Sequence, residues 1–158
     1  MRAGEHVRKF LRSFHYAFSG VVRTAKNERN MRVHLCFAFY VVAFGLVTGI
    51  SQSQWAAVLL CIAAVTSLEL INTSVETVCD CLHPGKSPMI RAAKDAAAGA
   101  VLISAAASAV VGGLIFFRRE RVENALCFIG KYPVLAAVLI LLLPLWIIWI
   151  VGRKKYDR

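Results

Sequence analysis

No glycine-rich phosphate loop occurs in this sequence. Nothing in it matches G-x-x-x-x-G-K-[ST] or G-x-G-x-x-G, so the soluble nucleotide-binding folds are excluded and any nucleotide site must be built from helix ends and side chains. Acidic residues are scarce, nine against nineteen lysines and arginines. The resulting charge of +10 does not point to nucleic acid, because the basic residues flank apolar runs, where attraction to anionic headgroups already accounts for them. A disulfide framework is missing too: Cys36, Cys61, Cys79, Cys81 and Cys127 are scattered and fall mostly within apolar runs. Cys79-Asp80-Cys81-Leu82-His83 looks like half of a zinc site, but no second ligand pair accompanies it, and small helix-packing side chains are the simpler account. No cleavable leader is expected, since a long basic stretch precedes the first apolar run and no small-x-small cleavage site follows it.

What the chain has in quantity is apolar residues, 58% of its 158. With a mean hydropathy of +0.61 it reads as one all-α integral membrane protein. Four apolar segments, Val33 to Ile50, Trp55 to about Leu82, Ala96 to Phe117 and Tyr132 to Val151, are each near the roughly 20 residues that cross a hydrocarbon core. Before them, His6 to Lys26 has apolar residues at helical spacing (Val7, Phe10, Leu11, Phe14, Phe18, Val21, Val22) and a basic side, the pattern of a helix lying in the membrane interface. The expected organisation is residues 1–117 as the membrane domain, with a surface helix at 5–26 and spans at 33–50, 55–82 and 90–117. Residues 118–158 form a C-terminal extension with an additional span at 132–151.

Lysines and arginines orient the spans. Eight lie in the first 32 residues, three in the link Lys86, Arg91 and Lys94, and four in the tail from Arg153, whereas Ser51 to Gln54 has none. By the positive-inside rule these fifteen mark the cytoplasmic side, so the N-terminus is expected there. Arg118, Arg119, Arg121 and Lys131 would then lie outside, a local violation that leaves two options for this segment: dipping back or lying on the surface.

The second segment ends in Glu69-Leu70-Ile71-Asn72-Thr73-Ser74-Val75-Glu76-Thr77-Val78-Cys79-Asp80. On a helix Glu69, Asn72 and Glu76 share one face over about 10 Å. A charged group facing lipid costs roughly 2.5–3.5 kcal/mol on insertion scales, so this face must meet protein, water or a cation. Asn27 to His34 is a second polar junction, in which Glu28 is the one acid; a salt bridge to Arg29 or Arg32 and a metal or phosphate site are both open for it. Asp80, Lys94 and Asp95 belong to the same side. Carboxylates with few waters are how Mg²⁺ is held when substrate phosphates complete its shell, and lysines balance phosphate charge. The inventory therefore suits phosphoryl transfer. An ion path in a non-catalytic transporter subunit or scaffold is the rival from another class.

Glu69-x-Ile71-Asn72-Thr73-Ser74-Val75-Glu76-x-x-Cys79-Asp80 resembles the signature of the small prokaryotic diacylglycerol kinase family, which includes the undecaprenol kinases. Asn27-Glu28 and Lys94-Asp95-x-Ala97-x-Gly99-Ala100-Val101 join it at fitting spacings, and Cys79 departs from the usual valine. The likeness runs from about Phe10 to Phe117, and Asn27-Glu28-Arg29-Asn30-x-Arg32-x-His34 looks more like the undecaprenol branch. The resemblance implies a homotrimer with active sites shared between subunits at the cytoplasmic membrane face. It implies an ATP- and Mg²⁺-dependent kinase acting on a lipid alcohol, undecaprenol first and diacylglycerol as the alternative. By it Glu69 would be the general base at the lipid hydroxyl, Asn72 its support, and Glu28 and Glu76 the metal ligands. Lys94 would contact phosphate and Asp95 orient it, Tyr16 and Lys86 would help bind nucleotide, and Asn30, His34 and Ala98 would line the lipid approach.

Overall fold

The computed structural model describes residues 2–82, 85 and 87–152, with side chains from residue 6 onward. The chain is helical almost throughout: α1 Arg2–Asn27, α2 Arg29–Thr48, α3 Gln52–Leu82, α4 Pro88–Phe116, α5 Arg119–Lys131 and α6 Pro133–Val151. No strand occurs among the described residues. In lipid the backbone has no water to bond, so each spanning segment must satisfy its N–H and C=O groups internally, and helices do so. Helices α2, α3, α4 and α6 are long and apolar enough to cross a membrane. The protein is a multi-pass membrane protein.

Most large apolar side chains point outward, as at Leu60, Leu102, Ile103 and Leu141. The buried apolar core is correspondingly small, centred on Ile50, Val58 and Ile115. In hydrocarbon an outward leucine costs nothing, and helices associate instead through packing at small residues. Gly45 shows this directly: a Cβ there would come within 2.9 Å of the Trp55 ring, so the glycine is what lets the α3 indole lie against the α2 backbone. One turn later Gly49 ends α2 in the left-handed conformation, φ 66°, with its N–H bonded to the Gly45 carbonyl.

α1 meets α2 at a single non-helical residue, Glu28, so the first span starts at Arg29, a turn before the expected Val33. α1 leaves Phe10, Phe14 and Phe18 exposed along its apolar side, which is the face a membrane surface would cover. α3 and α4 form the most closely packed helix pair, an antiparallel hairpin whose α4 begins with Pro88 in its first turn. His83, Pro84 and Lys86, between α3 and α4 in the sequence, lie outside the described residues.

The segment whose topology the charges left ambiguous is helix α5, docked on the end of α2. Arg121 donates to the carbonyl oxygens of Thr48 (2.7 Å) and Gly49 (2.6 Å) and to the Gln54 side chain (3.3 Å), and Asn124 donates to Thr48 (3.2 Å). These carbonyls are the unpaired acceptors that any helix C-terminus leaves, and a guanidinium satisfies two at once. From there α6 returns antiparallel along α2: Tyr40 donates to the Leu139 carbonyl at 3.0 Å and Arg32 to that of Ile150 at 3.0 Å. α2 thus has α3 on one side and α6 on another.

Candidate active site

α3 has 31 residues and is about 46 Å long at 1.5 Å per residue, against a hydrocarbon core of about 30 Å. Its last third must project beyond the core at the end away from Gln52. Glu69 therefore stands near that boundary, Glu76 two turns further out, and Asp80 beyond both.

Glu69 is 2% exposed and its Oε2 is buried without a hydrogen-bond partner. Asn72, one turn on, is also buried; its amide nitrogen donates to Glu76 Oε1 at 3.2 Å while its Oδ1 has no partner. Native interiors rarely leave buried carboxylate and amide oxygens unbonded, and where they do a missing ligand, ion or water is a standard reason. Two such oxygens on one helix face mark the most polar unsatisfied spot among the described buried side chains.

Glu28 joins this face from the α1–α2 corner. Its backbone is extended (φ −98°, ψ 125°), its N–H bonds the Thr24 carbonyl at 2.8 Å, and its carbonyl accepts from Arg32 N–H at 3.3 Å. Its side chain does not cap α2 although it occupies the cap position. Asp, Asn, Ser and Thr are the residues that cap well, so a longer, non-capping Glu leaves its carboxylate available for something else. Glu28 and Glu76 are both close enough to act electrostatically on the Glu69 carboxylate.

On the other side of the α3–α4 hairpin, Lys94 Nζ lies 2.8 Å from Asp80 Oδ1, and Glu76 also acts on this ammonium. Asp95 turns the other way, 3.8 Å from Arg91 one turn earlier on α4. The structure thus gathers Glu28, Glu69, Asn72 and Glu76, with Lys94 and Asp80 at the edge. It does not bring in Tyr16, which is 70% exposed and faces His15, nor Ala98 and Asn30, which are also exposed; His34 is half-buried on α2. Lys86 lies outside the described residues.

The contacts of two contributors could not be read from the sequence. Asp80 was one acid among several, and its opposite-charge spacing to Lys94 gains meaning only once the hairpin register is known. Arg32, 2% exposed, is read in the sequence only as a possible salt-bridge partner of Glu28 and as part of the 27–34 motif, not as a ligand of helix-end carbonyls.

A bundle of helices apolar enough to span, with interacting carboxylates on one face, is the arrangement of a membrane protein that handles a cation or a phosphate. The chain belongs to the prokaryotic diacylglycerol kinase family, whose model matches residues 15–116. It is a lipid kinase. It is 39% identical over 108 residues to the undecaprenol kinase of Bacillus subtilis, covering 68% of this chain and 88% of that one. It is 40% identical over 110 residues to a diacylglycerol kinase of Synechocystis, covering 65% of this chain and 59% of the relative. A Haemophilus influenzae diacylglycerol kinase is 29% identical over 109 residues, covering 68% and 92%. No solved structure gives a significant match. α5 and α6 lie beyond the family match.

Proposed function

We propose that the protein phosphorylates undecaprenol with ATP at the cytoplasmic face of the cell membrane, as a homotrimer with active sites shared between neighbours. The observation that supports this reading is the pair of buried, unpartnered oxygens on Glu69 and Asn72, on the face of α3 that also carries Glu76. A proton acceptor buried in the membrane boundary reaches a lipid headgroup, and charged residues further out on the same helix reach ATP.

The reaction joins the acceptor oxygen to the γ-phosphorus and breaks the bond from that phosphorus to the β,γ-bridging oxygen, leaving ADP. Glu69 takes the hydroxyl proton as attack proceeds, and Asn72 keeps Glu76 aligned through its amide. Glu28 and Glu76 are the residues that would hold Mg²⁺. No group of three or more His, Cys, Asp or Glu side chains able to hold a metal occurs among the described residues. Two carboxylates suit an ion that arrives with its nucleotide and has phosphate oxygens in its remaining positions. When bound, the cation neutralises charge on the phosphate oxygens. Lys94, released from Asp80, meets phosphate from the water side; Tyr16 and Lys86 help hold the nucleotide, Asp95 orients the phosphate contact, and Asn30, His34 and Ala98 line the lipid approach.

Undecaprenol is preferred as acceptor because the α1–α2 junction resembles that branch and because the 39% relative acts on it. Diacylglycerol is the second reading, favoured by the two relatives that carry that name. Purified protein in lipid nanodiscs, given ATP and each lipid at equal mole fraction, decides between them. Undecaprenol turnover well above diacylglycerol turnover is expected; the reverse rejects the choice, and no phosphorylated product from either lipid would return the acids to an ion path.

A further inference from the structure

Arg32 is the one buried cation among the described residues. A guanidinium out of water needs its charge and its donors matched, and here two of the donors are matched by two helix ends. Its Nη1 donates to the Lys26 carbonyl at 2.8 Å, in the last turn of α1, and its Nη2 to the Ile150 carbonyl at 3.0 Å, in the last turn of α6. The Trp149 ring adds a third surface, its centroid 5.8 Å from the guanidinium carbon. Last-turn carbonyls are free acceptors at the negative end of the helix dipole, so two converging C-termini form a site suited to a forked cation. A lysine has no such fork.

The same residue is bonded to the site. Arg32 N–H donates to the Glu28 carbonyl, one turn earlier, so the Glu28 backbone and the Arg32 anchor belong to one turn of helix. Glu28 is the only residue between α1 and α2, and without a fixed corner its carboxylate could swing with α1 relative to Glu69 and Glu76 on α3. We propose that Arg32 is a positioning residue that ties the end of α6 to the α1–α2 corner and thereby sets where the Glu28 carboxylate stands, which makes the fourth span part of the support of the active site. This rests on the reading of Glu28 as a metal ligand.

The test uses the full chain in nanodiscs and two readouts: binding of Mn²⁺ in the presence of a non-hydrolysable ATP analogue, followed by the EPR signal of free Mn²⁺, and the Mg²⁺ dependence of turnover. Residues that orient metal ligands typically change metal affinity by about 10–100-fold, so Arg32→Gln should weaken Mn²⁺ by about 10-fold or more and move the Mg²⁺ requirement equally. Turnover at saturating metal should stay within about threefold, the split that separates positioning from loss of chemistry. Arg32→Lys should fall between, and Trp149→Leu, which leaves both hydrogen bonds in place, should weaken Mn²⁺ by about threefold, as expected for loss of one cation–π contact. Unchanged Mn²⁺ affinity in Trp149→Leu and Arg32→Lys, with only a lower unfolding temperature, would reduce Arg32 to a packing role and overturn the proposal. Glu28→Gln is run beside them. If it weakens Mn²⁺ and the Arg32 variants do not, the positioning proposal alone fails; if it leaves Mn²⁺ unchanged, the metal assignment of Glu28 fails and takes the proposal with it.

Discussion

Glu69 is held in a state that costs stability. Burying a carboxylate carries an effective penalty of several kcal/mol, recovered only when its oxygens are bonded, and Oε2 is not. Glu76, partly exposed and bonded to Asn72, bears no such burden. The two acids should therefore fail differently. Glu69→Gln should lower turnover at least about 100-fold, the typical share of a general base, while binding of an ATP analogue survives and the unfolding temperature holds or rises. Glu76→Ala should weaken Mg²⁺–ATP use and regain part of its turnover in excess Mg²⁺. Calorimetry and nucleotide titration on both variants check this, and equal loss of nucleotide binding in the two would contradict the division of labour. Lys94 adds a third case: its Asp80 pair is half-exposed, and screening by solvent leaves it little to contribute to folding. Asp80→Asn should change the KM for ATP while leaving the KM for the lipid in place, because it frees Lys94 for phosphate.

Among the helices, the α2–α3 contact depends on one missing side chain. Gly45→Val would drive its methyl groups into the Trp55 ring, which is packed against Ile50, so the helices must part or the indole must turn. Overpacking of this kind costs about 1–3 kcal/mol, seen as a lower unfolding temperature, with Gly45→Ala at the small end. The surface helix and the four apolar helices were readable beforehand, because runs of about 20 apolar residues and a helical repeat of aromatics are physical requirements of spanning and surface helices, whereas α5 has neither signal and was not expected as a helix. The α3 acid face was readable for the same reason, since helical spacing alone aligns Glu69, Asn72 and Glu76. The docking of α5 and α6 was not. Arg121 and Arg32 both end on backbone carbonyls, which every sequence supplies at every position, so nothing distinguishes Thr48 or Ile150 as acceptors until the chain has folded. The α1–α2 corner was legible as polar, but that Glu28 stands there uncapped is a matter of backbone geometry.

Across the whole molecule, an even number of spans places the carboxylate site, the α1–α2 corner and the end of α6 at one membrane face, and α5 with the α2–α3 turn at the other. The proposed orientation puts the first face in the cytoplasm on the basic count, against the local vote of Arg118, Arg119, Arg121 and Lys131. Of the four basic residues in this segment, Arg121 bonds the end of α2 and Arg119 pairs with Glu123 at 2.8 Å. Two native cysteines report the outcome. Cys81 is exposed near the carboxylate end of α3 and Cys127 is exposed on α5 at the opposite end. With Cys36, Cys61 and Cys79 replaced by alanine, a membrane-impermeant maleimide added to intact cells should modify Cys127 and spare Cys81, and permeabilisation should open Cys81 to it. Labelling of Cys81 alone in intact cells would turn the molecule over, putting the acids on the side without ATP, and the kinase could not work as assigned.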